Sequence, residues 1–188
     1  DRETVFNVQR SAVEFESGAE ATNCKDYFAL KAKEEPIENS VNFSILQNYV
    51  LCDTLQLLQQ AEKKIFTPSS IAAAGEHLAR DVKVDSYASS LRQRVTPDQN
   101  SLSALLGPTL KIEPNAVVLD SSDTWHYELR IVARADVNGD GKEDWLLWWN
   151  DRSVGGNYDV TSLWMASNPT AGQPIALSAP NAPMTLKK

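Results

Sequence analysis

The segment 125-WHYELRIVARA-135 alternates between apolar and polar residues, and a second apolar run, 145-WLLWW-149, follows a turn rich in Asp, Asn and Gly. Two strands joined by so short a connection pair as an antiparallel hairpin, because a parallel crossover needs a dozen residues or more. Within 125–135, Trp125, Tyr127, Leu129, Ile131 and Ala133 face one way. His126, Glu128, Arg130 and Arg134 face the other, with Val132 the exception. That pattern describes a strand with one wet face. In 145–149, Trp145, Leu147 and Trp149 share one face while Leu146 and Trp148 share the other, so this strand is expected in the sheet interior. The turn-bounded segments 109-TLKIE-113, 116-AVVLD-120 and 158-YDVTSLWMAS-167 extend the hairpin into an antiparallel meander.

Upstream of Thr96-Pro97 the period changes. The segment 41–64 places Val41, Ile45, Tyr49, Cys52, Leu55 and Leu58 at three- and four-residue steps, the stripe of an amphipathic helix. Asn39-Ser40 supply a cap, and Lys63-Lys64 suit the negative end of the helix dipole. A weaker helix is expected over 19–35, ended by Pro36, with Cys24 on the face of Phe28 and Ala32. A third, more polar helix is expected from Ser69 or Ser70 to Val95, on the outside of the molecule. The reading is α+β: N-terminal helices (1–97) packed on a C-terminal antiparallel β-meander (98–188), together one compact domain with an irregular tail.

The balance of 25 acidic against 18 basic residues, with no basic stripe, argues against nucleic acid as a partner. No run approaches the length of a membrane-spanning helix. The chain opens on Asp1, as a processed exported precursor or a trimmed chain would. Cys24 and Cys52 are its only cysteines. A bridge between them would close a loop of roughly 27 residues, stabilise the fold by about 3–4 kcal/mol and pin two helices together. Two buried free thiols are the alternative. The bridge is the expectation, because the turn described next also suits an oxidising compartment.

That turn is 136-DVNGDGKED-144. Counting from Asp136, oxygen-bearing side chains stand at places one, three, five and nine (Asp136, Asn138, Asp140, Asp144), with Gly141 at place six. Lys142, at place seven, can add its carbonyl. Hard cations such as Ca2+ take six to eight oxygens, and alternate residues of a tightly curled loop converge on one centre. Three carboxylates this close repel one another, and a divalent cation removes that penalty. A bare Asn-Gly/Asp-Gly hairpin tip is the alternative. Place twelve, where an EF-hand carries a bidentate glutamate, is Leu147. The turn instead resembles the D-x-N-x-D-G-x-x-D calcium loop of FG-GAP and VCBS-type repeats, which lies between two β-strands. The resemblance covers nine of 188 residues, in one copy. It implies a Ca2+ site at Asp136, Asn138, Asp140, Lys142 and Asp144. It does not carry over the tandem propeller architecture or the adhesive role of those families. The ion is expected to be structural, because its ligands come from both strand ends.

No nucleophile elbow, zinc-binding pair or phosphate-cradling glycine pattern occurs, so no catalytic residue is assigned. His77 and His126 read as helix-surface and strand-surface residues. Trp148 and the glycine-bearing turn 151-DRSVGGNY-158, through Arg152 and Asn157, are the candidate binding positions. The expectation is an exported protein, periplasmic or extracellular, that acts on a protein partner such as an envelope enzyme or toxin, in the manner of an inhibitor or immunity protein. A carbohydrate-binding module with exposed Trp, and a hydrolase with a scattered site, are the alternatives.

Overall fold

The computed structural model describes residues 2–61, 66–69, 71–120 and 124–180. The chain divides into two compact units, residues 1–56 and 57–188. No helix among the described residues is long and apolar enough to cross a membrane.

The first unit opens with α1 (Arg2–Phe6) and a small antiparallel ribbon of β1 (Val13–Glu14) and β2 (Glu20–Ala21). Helix α2 spans Cys24–Lys31, later than the expected start. Asn23 accounts for the difference: its side chain accepts the Asp26 N–H as an N-cap, and the residues before it pair as β2. Helix α3 (Ser40–Leu46), capped by Asn39, continues through a 3-10 turn (Gln47–Tyr49) into α4 (Val50–Ala61). The tighter 3-10 turn shifts the phase of the apolar stripe. Val41, expected inside, is 67% exposed, while Asn42, Tyr49 and Cys52 are buried. Lys63 and Lys64 lie outside the described residues.

Cys24 and Cys52 are disulfide-bonded and join α2 to α4. Around the bridge pack Val13, Phe15, Ala21, Tyr27 and Tyr49. Beside it Lys31 Nζ meets Asp53 Oδ1 at 2.8 Å, and burial pushes the Tyr27 hydroxyl up to about 12, reinforced by the Asp53 carboxylate. A disulfide enclosed in this way fits an oxidising compartment.

The second unit carries the sheet, in the order β3-β4-β5-β6-β7, every neighbouring pair antiparallel. Its strands are β3 (Lys111–Glu113), β4 (Ala116–Asp120), β5 (Trp125–Ala135), β6 (Asp144–Ser153) and β7 (Asp159–Ala166). The expected meander is present, and β6 is an interior strand. One face packs Tyr127, Leu129, Ile131, Trp145, Leu147 and Trp149 against α5 (Ala74–Asp81) and α6 (Leu102–Leu106). The other packs Leu146, Ala135 and Met165 against Leu57 and Ala61, residues at the C-terminal end of α4 that belong to this second unit.

The long third helix over 69–95 is corrected. Helix α5 ends at Asp81 because Val82 turns extended and pairs in parallel with Ile175. The Lys83 and Ile175 N–H groups then bond across that bridge, and only short 3-10 turns follow. Nor does α5 lie outside, for Ala74, Gly75, Leu78 and Ala79 are buried. Gly75 permits this approach, since a Cβ there would stand 1.9 Å from the Glu113 carbonyl oxygen.

A β-bulge explains why Val132 breaks the alternation. The β5–β6 register shifts between Ile131 and Ala133, so Ala133 pairs with Leu146 and Arg134 with Trp145. Beyond the bulge the two faces exchange. Ala133, expected beside Ile131, lies on the opposite face, and Arg134 shares the face of Trp145.

Candidate functional site

Strands β5 and β6 deliver their ends to the loop 136–143. Gly139 and Gly141 have φ of 82° and 79°, the left-handed region in which a Cβ is costly. Asp136 organises the curl. Its Oδ1 accepts the N–H groups of Gly139 at 2.6 Å and Asp140 at 3.0 Å, and its Oδ2 accepts that of Gly141 at 3.1 Å. Asp144 closes the loop from the other side. Its Oδ2 accepts Val137 and Asn138 N–H, and its Oδ1 accepts Asn168 N–H at 3.1 Å. Asp136 is 3% exposed and Asp144 0%, and neither takes part in an ion pair among the described residues. Burial holds the Asp144 carboxyl above the usual range, against the pull of its three backbone N–H bonds.

The remaining donors are less enclosed. Asp140 and Lys142 are exposed, and the Lys142 N–H turns inward to Asp140 Oδ1 at 2.9 Å. The Lys142 carbonyl belongs to the same inward edge, because the opposite edge is taken by a strap from residue 67. There Thr67 N–H donates to the Gly141 carbonyl and Glu143 N–H donates to that of Thr67. Asn138 accepts the Asp140 N–H on Oδ1. Its Nδ2 reaches Asp144 Oδ1 at 3.3 Å and Asp140 Oδ2 at 3.5 Å. A neutral amide dipole thus stands between two carboxylates.

The five residues assigned from sequence are therefore brought into one loop. Among the described residues, no group of three or more His, Cys, Asp or Glu side chains is arranged to hold a metal ion. The reason is visible in the bonding: the oxygens of Asp136 and Asp144 face backbone N–H groups, and Asp140 faces Lys142 N–H.

At the base of the loop, Arg134 Nη1 pairs with Glu143 Oε1 at 3.1 Å, and its guanidinium lies over the Trp145 ring at 5.2 Å. Trp145 Nε1 donates to the same Glu143 oxygen at 2.7 Å. The bulge at Val132 makes this contact possible by placing Arg134 on the face of Trp145.

The other candidate positions lie toward the far end of β6. Nine residue steps, about 30 Å of extended chain, separate Asp144 from Ser153. Arg152 and Asn157 are exposed at the β6–β7 hairpin, with Val154 and Tyr158 also exposed there. Trp148 is not with them. It lies mid-strand, half-buried, paired across to Arg130 and Leu163.

Beneath the hairpin is a carboxylate that sequence reasoning passed over. Asp151 is 1% exposed and accepts Ser90 N–H at 2.7 Å and Ser90 Oγ–H at 2.9 Å. The alternation that turns Trp145, Leu147 and Trp149 inward also turns Asp151 inward, so the signal was present. A run of rings leads from the surface past it: Tyr158 to Trp125 at 5.5 Å, Trp125 to Tyr127 at 5.9 Å, and Tyr127 to Trp149 at 5.7 Å.

The two histidines are each beside a carboxylate. His77 Nδ1 lies 2.6 Å from Asp81 Oδ2, one helical turn away. His126 Nε2 lies 3.8 Å from Glu128 Oε2. Both imidazoles are more enclosed than a surface reading implies.

No family model, curated protein or solved structure matches the chain.

Proposed function

We propose that the protein is an exported, periplasmic or extracellular binding protein, stiffened by one Ca2+ in the loop 136–144, that contacts a protein partner through the β6–β7 hairpin. An inhibitor or immunity-type protein for an envelope enzyme or toxin is the class that suits an acidic, disulfide-bonded chain with no recognised catalytic pattern. The observation that carries the reading is the pair of buried carboxylates, Asp136 and Asp144, which have no cationic side chain as a partner among the described residues and stand in a loop of FG-GAP-like spacing. Asp136, Asn138, Asp140, the Lys142 carbonyl and Asp144 would hold the ion. It would offset their charge and fix the hairpin register. The carbohydrate alternative gains less support, since all five tryptophans are buried or half-buried.

Calcium titration followed by thermal unfolding tests the metal. Millimolar calcium, on the order of the affinity of extracellular modules, is expected to raise Tm reversibly, and chelator to reverse the rise. Asp140→Ala removes an exposed ligand whose loss leaves the buried bonds of Asp136 and Asp144 intact. The variant should fold and lose the calcium response. A Tm indifferent to calcium in the unaltered protein ends the metal assignment.

The partner surface has its own test. With a partner captured from envelope extract, Arg152→Ala with Asn157→Ala should weaken binding by about tenfold or more, a loss of roughly 1.4 kcal/mol. Because both side chains are exposed, the melting point should hardly move. Unchanged affinity in that variant places the contact elsewhere.

A further inference from the structure

The loop contains the dipeptide Asn138-Gly139, and its two residues are handled differently from the acids around them. Gly139 is exposed and takes a positive φ. Without a Cβ, its backbone nitrogen is the least hindered nucleophile a chain can set beside an asparagine amide. In the folded loop that nitrogen is engaged, donating its N–H to Asp136 Oδ1 at 2.6 Å. The Asn138 amide is held at both ends, by Asp140 N–H on Oδ1 and by Asp144 and Asp140 on Nδ2.

We infer that Asn138 is a latent deamidation site whose reactivity is suppressed by the closed loop and released when the loop opens. In the open chain the Gly139 nitrogen loses its proton to solvent base and attacks Asn138 Cγ. The new N–C bond closes a five-membered succinimide, and the side-chain nitrogen leaves as ammonia. Water then opens either carbonyl of the ring, giving aspartate or isoaspartate at position 138. The net change is loss of ammonia and gain of water.

The product alters the loop. A donor that bridged Asp140 and Asp144 becomes a third carboxylate beside them, so two hydrogen bonds are replaced by repulsion. Opening permits the reaction, and the reaction disfavours closing, which makes the change one-way. None of this depends on a bound cation.

The test follows the mass change at residue 138 by peptide mapping in mildly alkaline, chelator-containing buffer. The urea-unfolded chain is expected to deamidate faster than the native protein by on the order of tenfold or more, as for any reaction gated by local opening. Asp136→Ala, which frees the Gly139 N–H, should approach the unfolded rate while the sheet remains folded by circular dichroism. If that variant does not fold, Asp136→Asn replaces it, with an expected rate between those of the native and unfolded chains. Separately, Asn138→Asp should lower Tm in chelator. A native chain that reacts as fast as the unfolded one overturns the inference. So does a folded Asp136 variant no faster than the parent, or an Asn138→Asp protein as stable as the parent.

Discussion

Replacing Asp144 by alanine is expected to destabilise the second unit by about 2–4 kcal/mol. The carboxylate is fully buried and satisfies three backbone N–H groups, those of Val137, Asn138 and Asn168. Alanine removes all of their acceptors at once. Water can reach the exposed side of the loop and return part of the loss, which is why the figure stays below three full desolvation penalties. Asn168 makes the effect spread, because the bond to its N–H fixes the chain just after β7. Urea unfolding monitored by tryptophan emission should show a lower midpoint with an unchanged slope. Asp140→Ala, on the exposed side, should shift the same midpoint far less. Equal shifts for the two variants would contradict the bonding described for Asp144.

The second large effect belongs to the disulfide. The chain-entropy model assigns about 3–4 kcal/mol to a bridge closing a loop of this size, 28 residues in sequence separation. The unit that contains it, residues 1–56, offers only a small core. Cys24→Ala with Cys52→Ala, or reduction of the parent, should therefore unfold residues 1–56 at temperatures where the sheet persists. Hydrogen exchange resolves the two: amides of α2 should lose protection, while those of β5 and β6 keep it. A single transition, unmoved by reductant, would show that the small core suffices without the bridge.

The parts of the fold legible in sequence were those governed by local pattern. Strands β4 and β5 begin and end where alternation and turn residues place them, and β6 follows from the two apolar faces of 145–149. Distant partners fixed what was missed. Val82 is extended because Ile175 pairs with it, a relation no window of sequence around α5 contains. The bulge left a trace, Val132 out of phase, yet only the cross-strand register shows that Ala133 and Arg134 exchange faces after it. At the loop, spacing was enough to gather Asp136, Asn138, Asp140 and Asp144. Which of them are buried was not legible, because the strap from Thr67 and the turn at Asn168 decide it. Trp148 shows the converse limit. Alternation gave its face correctly but could not say that Arg130 and Leu163 flank it.

The strap has a consequence for the order in which the second unit assembles. Thr67 precedes α5, α6 and every strand of the sheet, whereas Gly141 and Glu143 lie between β5 and β6. Joining them means closing a loop through much of the unit, an entropic cost that is met only after nearer contacts have formed. The β5–β6 hairpin can therefore nucleate early while its own tip waits for a segment from the far side of the chain. Bonds that form after the rate-limiting step contribute little to the speed of folding and act mainly by slowing unfolding. The strap is in that sense a kinetic lock: it sets how long the curled loop persists rather than how quickly the hairpin is found.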